Sequence, residues 1–207
     1  MEKILEVLGF QKDFVYETII TTYHENGIPN VAPMGVFTPD LDRLIIRPYE
    51  ETDTYKNLRQ KNCCAVNLTE DLLLFAKAAL EKNVELEPDE FREGFIVDAP
   101  VLKKADAWLE IETKYVGKKE GRGEFEGKII TGGIKNPFLK PLNRGFFSTL
   151  ETIIHATRVH VYEEVLKNFE EAQKLRKLID YYSDLVNRVT SSSSKEKSII
   201  NYVLSKI

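Results

Sequence analysis

Residues 14–38 of this 207-residue chain encode a β-hairpin, and this feature restricts the fold more than any other. The stretch FVYETIITTY (14–23) is rich in β-branched and aromatic residues, which are typical of strands. The dipeptide Asn26-Gly27 then favours a tight turn, and PNVAPMGVFT (29–38) predicts the returning strand. An opening hairpin of this kind indicates an antiparallel β domain.

Hydrophobic periodicity predicts further strands and two short helices before residue 140. The predicted strands are RLIIRPY (43–49), CCAVNL (63–68) and DAWLEIETKYV (106–116), with one more strand after the glycine-rich turn that follows. The predicted helices run from Asp53 to Gln60 and over residues 69–82.

The strand at 106–116 shows the alternation of apolar and polar residues most clearly. Leu109 and Ile111 fall on one face, and Glu110 and Glu112 fall on the other. We therefore expect Glu110 to belong to the polar face of this strand.

The periodicity changes near residue 145 from that of strands to that of helices. The segment 147–166 is helical in pattern, and apolar residues recur at helical spacing from Val165 to Val189. The serine run at 191–194 breaks this pattern, and a short helix over 195–207 follows. The predicted fold is α+β and mainly β, with a β domain at 1–144 and a C-terminal helical appendage at 145–207.

Composition narrows the classes of function. Hydrophobic residues make up 43% of the chain, which is enough for a core, and the net charge of -4 argues against a nucleic-acid-binding protein. No stretch reaches the roughly 18 apolar residues of a membrane span, and no signal peptide is recognised. Neither the adjacent Cys63 and Cys64 nor the three histidines have the spacing of a metal site. We expect a cytoplasmic protein without a metal.

The segment RPYEETDTYKNL (47–58) has two interpretations. A helix N-terminus carries unpaired amides that suit a phosphate, and Arg47, Thr52, Thr54 and Asn57 offer further donors. Alternatively, Thr52 or Asp53 only caps the helix, and Arg47 pairs with Glu50 or Glu51. The residues alone leave both interpretations open.

Two other segments are candidates for binding. Pro33 and Gly35 interrupt the strand VAPMGVF, so a flat ligand can lie against its free backbone groups, or the strand is simply an edge strand. In ETIIHATR, the residues Glu151, His155 and Arg158 share one helix face, either as a triad near a ligand or as a surface ion network.

Several short motifs occur in the order found in one known superfamily. The strand VAPMGVF is followed by a T-x-x-N loop, Thr54-Tyr55-Lys56-Asn57, by the strand AVNL and by FREGFIVDAPVLKKADAWLEIE. This order resembles the FMN-binding split-barrel superfamily of flavin-reductase-like proteins. YETIITTYHENGIPNVAPMGV and NRG…ETIIHATR are similar to an archaeal group within it, domain-of-unknown-function family 447 (DUF447).

The resemblance implies a Greek-key-like antiparallel split barrel of six strands, usually a homodimer that binds FMN near the subunit interface. It implies that NADH or NADPH donates a hydride to the flavin, which passes it to an acceptor. The implied cofactor-binding residues are Ala32, Met34, Gly35 and Val36 along the isoalloxazine ring and Arg47, Thr52, Thr54 and Asn57 around the phosphate and ribityl chain.

The chain departs from typical flavin reductases on the ring strand. Those proteins carry serines and an asparagine where this chain has Ala32, Met34 and Gly35, so ring contacts fall mainly to the backbone. No catalytic acid or base is predicted, because the flavin supplies the redox chemistry. A flavin-binding protein without turnover and a cofactor-free structural dimer are the alternatives.

Overall fold

The computed structural model describes residues 3–80 and 90–207. The chain divides into two compact units. The first comprises residues up to Lys12 together with Tyr16–Leu142, and the second comprises Asp13–Val15 together with Asn143–Ile207.

The first unit is built on six antiparallel strands that close into a barrel. They are β1 (Tyr16–Tyr23), β2 (Pro29–Phe37), β3 (Arg43–Ile46), β4 (Cys63–Leu68), β7 (Ala107–Lys119) and β8 (Arg122–Ile134). Strands β5 (Phe91–Glu93) and β6 (Pro100–Leu102) pair separately, and the helices are α1 (Ile4–Val7), α2 (Asp53–Lys61) and α3 (Leu72–Leu80). The barrel order is β1-β2-β3-β8-β7-β4, which confirms the predicted mainly-β, Greek-key-like split barrel.

The core of this unit lies inside the barrel. Ile20, Val66 and Leu109 are cross-strand neighbours on β1, β4 and β7, and all three are fully buried. Burial of each such side chain stabilises the fold by about 1.5–3 kcal/mol. The alternating apolar residues of the sequence therefore close the barrel around a common interior.

Strand β2 is paired very differently along its two edges. All eight residues of β1 pair with β2. On its other edge, β2 pairs with β3 only at Val36–Ile46 and Phe37–Ile45. Residues 29–35 therefore have no strand partner on that edge in the described part of the chain, and this gap is the split in the barrel.

Several predicted element ends differ from the structure for local reasons. The strand predicted from residue 14 begins at Tyr16, because Val15 donates its amide to Val189 in the second unit. The strand predicted to reach residue 49 ends at Ile46, where Pro48 soon removes an amide donor. The helix predicted over 69–82 is observed as α3, and residues 81–82 lie outside the described residues.

Glu110, which alternation assigns to the polar face of β7 together with Glu112, is not exposed as Glu112 is. Its side chain is fully buried, and β7 carries a register shift between Glu110 and Ile111. The amides of Phe95 and Ile96 donate to its two carboxylate oxygens at 2.8 Å, and Val97 donates at 3.3 Å. The loop at residues 95–97, which precedes strand β7, thus replaces the water that the carboxylate loses on burial.

The second unit is helical, as predicted. It contains α4 (Arg144–His160), a π-helical segment (Val161–Val165), α5 (Phe169–Val189) and α6 (Lys195–Leu204). Ala156, Val159, Ile179 and Val203 form its buried core. Helix α5 starts later than the predicted Val165, because Lys167 adopts a left-handed conformation with φ of 53° and Asn168 caps the helix.

Candidate functional site

The loop between β3 and α2 is held in place by the end of the β7–β8 hairpin. The amide of Gly123 donates to the carbonyl of Pro48 at 3.0 Å, and that of Glu50 donates to Gly121 at 3.3 Å. The hairpin turns through Glu120 and Gly121, both with positive φ, as a tight turn between twisted strands requires. The position of the loop is therefore set by a segment about 70 residues later in sequence.

Thr52 is the N-cap of α2, which confirms the capping interpretation for this residue. Its hydroxyl accepts from the amide of Tyr55 at 3.3 Å and donates to the carbonyl of Tyr49 at 2.7 Å. The amides of Asp53 and Thr54 have no acceptor among the residues that the structure describes. Capping by Thr52 therefore leaves two helix amides unpaired.

Arg47 lies on the outer face of the barrel and pairs with a residue that the sequence did not suggest. Its Nε and Nη2 atoms both lie 2.6 Å from Oε2 of Glu124, and its guanidinium lies 4.8 Å from the ring centre of Phe37. The predicted pairing with Glu50 or Glu51 is wrong, because strand register places Glu124 of β8 beside Arg47.

Thr54 and Asn57 are buried beneath α2. They are 2% and 4% exposed. Asn57 donates to the hydroxyl of Thr22 at 2.9 Å, while Asn30 donates to Thr54 at 3.1 Å and to Thr22 at 3.2 Å. These four residues form a polar network that ties α2 to β1 and β2. Arg47 is not a member of this network, because its guanidinium is directed at Glu124.

The four predicted ring-binding residues lie on the strand beside the split. Alternation puts Ala32, Met34 and Val36 on one face of β2 and Gly35 on the other. Within β2 only Val36 is fully buried, whereas all of β1 except Glu17 and Tyr23 is buried. The carbonyl of Met34 accepts from the hydroxyl of Thr18 at 2.9 Å.

Arg122 is a candidate that the sequence analysis missed. It forms an isolated bridge with Tyr49, and its guanidinium lies 4.1 Å from the centre of the Tyr49 ring. The only sequence signal was the Gly121-Arg122-Gly123 turn, which carries a cation into the hairpin that holds the loop.

Comparison with models of protein families shows which family the chain belongs to. A model of the N-terminal domain of DUF447, described as a protein of unknown function, matches residues 16–136, and a second DUF447 model matches residues 143–202. The chain belongs to the DUF447 family. The resemblance inferred from the motif order is thereby confirmed.

Solved structures similar to this DUF447 chain include an FMN-bound member of the same family from Methanosarcina mazei. That protein is 26% identical, with 98% of this chain and 100% of that chain covered and a TM-score of 0.56. An FMN-binding protein from Thermus thermophilus is 14% identical over 58% of this chain and 70% of that chain, with a TM-score of 0.50. The styrene monooxygenase flavin reductase from Pseudomonas putida S12 is 15% identical over 59% of this chain and 82% of that chain, also with a TM-score of 0.50. These last two share the barrel fold.

The cysteines of the DUF447 chain are structural in character. Cys63 and Cys64 are free thiols, and burial raises the pKa of each of them. The part of the chain that the structure describes contains no cluster of three histidine, cysteine or acidic residues arranged for a metal. None of its described helices combines the length and apolarity needed to span a bilayer.

In the DUF447 C-terminal region, the predicted group of Glu151, His155 and Arg158 on α4 is only partly assembled. His155 Nε2 lies 3.7 Å from Glu151, and the His155 ring stacks on Tyr182 with centroids 5.8 Å apart. Arg158 is exposed and contacts neither of them in a hydrogen bond or ion pair. His155 therefore packs between α4 and α5 as a core residue.

Proposed function

We propose that this protein binds FMN and that the flavin passes a hydride or electrons from NADH or NADPH to an acceptor. One observation carries the proposal. A family member whose structure holds FMN matches 98% of this chain at 26% identity. The match extends over both units of the chain, whereas the matches to the Thermus and Pseudomonas proteins cover 58% and 59% of it.

The split in the barrel fits a flat ring. Residues 29–35 of β2 lack a strand partner on one edge among the described residues, so backbone groups there are available to a ligand. We propose that Ala32, Met34 and Gly35 line the isoalloxazine ring, and that Val36, which is fully buried and paired with Ile46, anchors the end of this strand. Because these side chains carry no hydrogen-bonding groups, recognition of the ring edge falls to the backbone.

The loop before α2 fits a phosphate. Two unpaired helix amides, at Asp53 and Thr54, supply donors and the positive end of the helix dipole. We propose that Arg47 and Thr52 contact the phosphate or ribityl chain. Thr54 and Asn57 support this site by holding α2 against β1 and β2 through their buried network.

FMN, when bound, supplies the redox chemistry. The residues of this chain bind the cofactor, orient it along β2 and neutralise its phosphate. No residue is assigned the role of a catalytic acid or base. The backbone at residues 29–35 orients the isoalloxazine ring, and the Arg47 guanidinium offsets the negative charge of the phosphate.

Stopped-flow absorbance with the FMN-loaded protein tests the electron transfer. We expect NADH or NADPH to bleach the flavin absorbance under anaerobic conditions. Retained FMN that neither donor reduces would contradict the reductase function. That result would favour flavin binding without turnover, for which the absence of polar side chains at Ala32, Met34 and Gly35 is the supporting observation.

We further propose a cytoplasmic homodimer, as the resemblance implies. The chain has a mass of 23.8 kDa, so sedimentation velocity should report a species of twice that value. A purely monomeric protein at micromolar concentration would contradict the dimer.

A further inference from the structure

We propose that Arg122 is a second phosphate-binding arginine and the main determinant of preference for FMN over riboflavin. The inference rests on the proposed binding of FMN. It assigns the discrimination to a residue of the β7–β8 hairpin that no sequence motif indicated.

Strand register places Arg122 on the same face as Arg47. Arg43 lies opposite Lys128, and Ile45 lies opposite Glu126. The isolated bridge between Tyr49 and Arg122 continues this register by two further pairs. Arg47 therefore falls opposite Glu124, one pair before Arg122, and diagonal neighbours of this kind lie about 7–8 Å apart. Two arginines thus converge on the outer face, next to the loop.

The guanidinium of Arg122 is the more available of the two. It stacks on Tyr49 and donates from Nη2 to the phenol oxygen of that residue at 2.5 Å. A guanidinium has five N–H donors, and this contact uses one. In the described residues, no carboxylate lies within ion-pair distance of Arg122, whereas Arg47 already directs two nitrogens at Glu124.

The difference in partners decides which arginine discriminates more strongly. A phosphate that approaches Arg47 displaces Glu124 or shares the guanidinium with it. The net gain in binding free energy is therefore the Arg47–phosphate interaction minus the Arg47–Glu124 interaction that is weakened. A phosphate at Arg122 displaces no carboxylate. The charge-assisted contact at Arg122 therefore contributes more to FMN affinity than the one at Arg47.

The hairpin that carries Arg122 contacts α2 through the strand face opposite the Arg122 side chain. A Cβ atom built on the adjacent Gly123 would lie 2.3 Å from the ring of Tyr55, so hairpin and helix are in direct contact. Tyr49, on which Arg122 stacks, also accepts hydrogen bonds from the amide and hydroxyl of Thr52. Arg122 and the free amides of α2 therefore border the same short loop.

Flavin affinities of three matched variants test the assignment. Arg122→Gln, Arg47→Gln and Arg43→Gln each remove one charge from the same outer face, and Arg43 is paired with Asp40 and Glu126 away from the loop. Dissociation constants for FMN and riboflavin are measured by flavin fluorescence, with thermal unfolding as a check on folding.

We expect Arg122→Gln to weaken FMN about 10- to 100-fold and riboflavin by less than about twofold. Arg47→Gln should reduce the FMN preference less, and Arg43→Gln should leave it unchanged. Equal effects of Arg122→Gln on both flavins, or no effect on either, would overturn the role of Arg122 while leaving FMN binding intact. A wild-type protein that binds neither flavin would overturn the proposed function together with this inference.

Discussion

Arg47 directs two guanidinium nitrogens, Nε and Nη2, at one oxygen of Glu124, each at a distance of 2.6 Å. Both side chains are about one-third exposed, so the pair is screened by solvent and stabilises the fold only modestly. The same carboxylate competes with any anion that approaches Arg47. We therefore expect Glu124 to lower the affinity of the proposed phosphate site more than it stabilises the barrel.

Replacement of Glu124 by Gln should strengthen FMN binding. The substitution releases Arg47 and removes a negative charge, so we expect FMN to bind up to about fivefold more tightly, equivalent to about 1 kcal/mol. Titration of protein fluorescence at low salt measures the change. The matched control is Glu126→Gln, on the same face of β8 and paired with Arg43. Unchanged or weaker FMN binding in Glu124→Gln would contradict competition by this carboxylate.

Loss of the N-cap of α2 should lower the unfolding free energy of the protein, an effect that must be separated from any change in FMN affinity. Thr52→Ala removes the acceptor for the Tyr55 amide, and such a loss costs about 1 kcal/mol of unfolding free energy. Thr52→Ser retains the hydroxyl and should retain most of that stability. Urea unfolding compares the two variants, and FMN affinity is then compared where both are fully folded. If Thr52→Ala is as stable as wild type, the cap does not stabilise α2.

The buried carboxylate of Glu110 should be necessary for the stability of the first unit. Glu110→Gln places an NH2 group among three amide donors, and we expect a loss of about 3 kcal/mol in unfolding free energy. Trp108, the single tryptophan of the chain, lies two residues away and reports unfolding by its fluorescence. Glu112→Gln is the control, because Glu112 is exposed on the same strand. Similar stability of the two variants would refute the structural role of Glu110.

The thiol of Cys64 should make the protein less stable at alkaline pH. Burial, with a smaller contribution from Cys63, raises the pKa of Cys64 well above its usual value. Above about pH 8.5 the unfolded chain releases the thiol proton and the folded chain keeps it, so the unfolding free energy falls as pH rises. This contribution has a slope of at most about 1.4 kcal/mol per pH unit.

Denaturant unfolding between pH 7 and pH 10 measures this effect. Cys64→Ala should show a shallower decline than wild type, although its stability at pH 7 is lower because core volume is lost. Parallel declines in the two proteins would mean that the Cys64 thiol does not couple folding to pH.

Local patterns in the sequence were sufficient to predict the strands of an antiparallel β domain, and the family resemblance supplied their closure into a split barrel. The Asn26-Gly27 turn and the strand-forming residues of β1 and β7 are properties of neighbouring residues, and the structure confirms the hairpin and both strands. The N-cap at Thr52 is equally local, since its acceptor and donor partners lie three residues away. The order of motifs indicated the family.

The contact partners of the site residues could not be predicted from local sequence patterns, because they lie far away in the sequence. Glu124 is 77 positions from Arg47, and its pairing follows from the β3–β8 register. Asn57 donates a hydrogen bond to Thr22, which is 35 positions away. Glu110 followed the alternation expected of a polar face, but the loop that buries it comes from outside the strand. Charge and polarity in the sequence identified these groups, but the tertiary fold determined what they contact.

The flavin content of the freshly purified protein tests the central claim most directly. The visible spectrum is recorded, and the supernatant after heat release is compared with FMN, FAD and riboflavin standards. We predict that FMN is released at about one per chain, or that added FMN binds to that stoichiometry. Absence of released flavin together with failure to bind added FMN would contradict the account and leave a barrel whose α2 loop serves only to cap a helix.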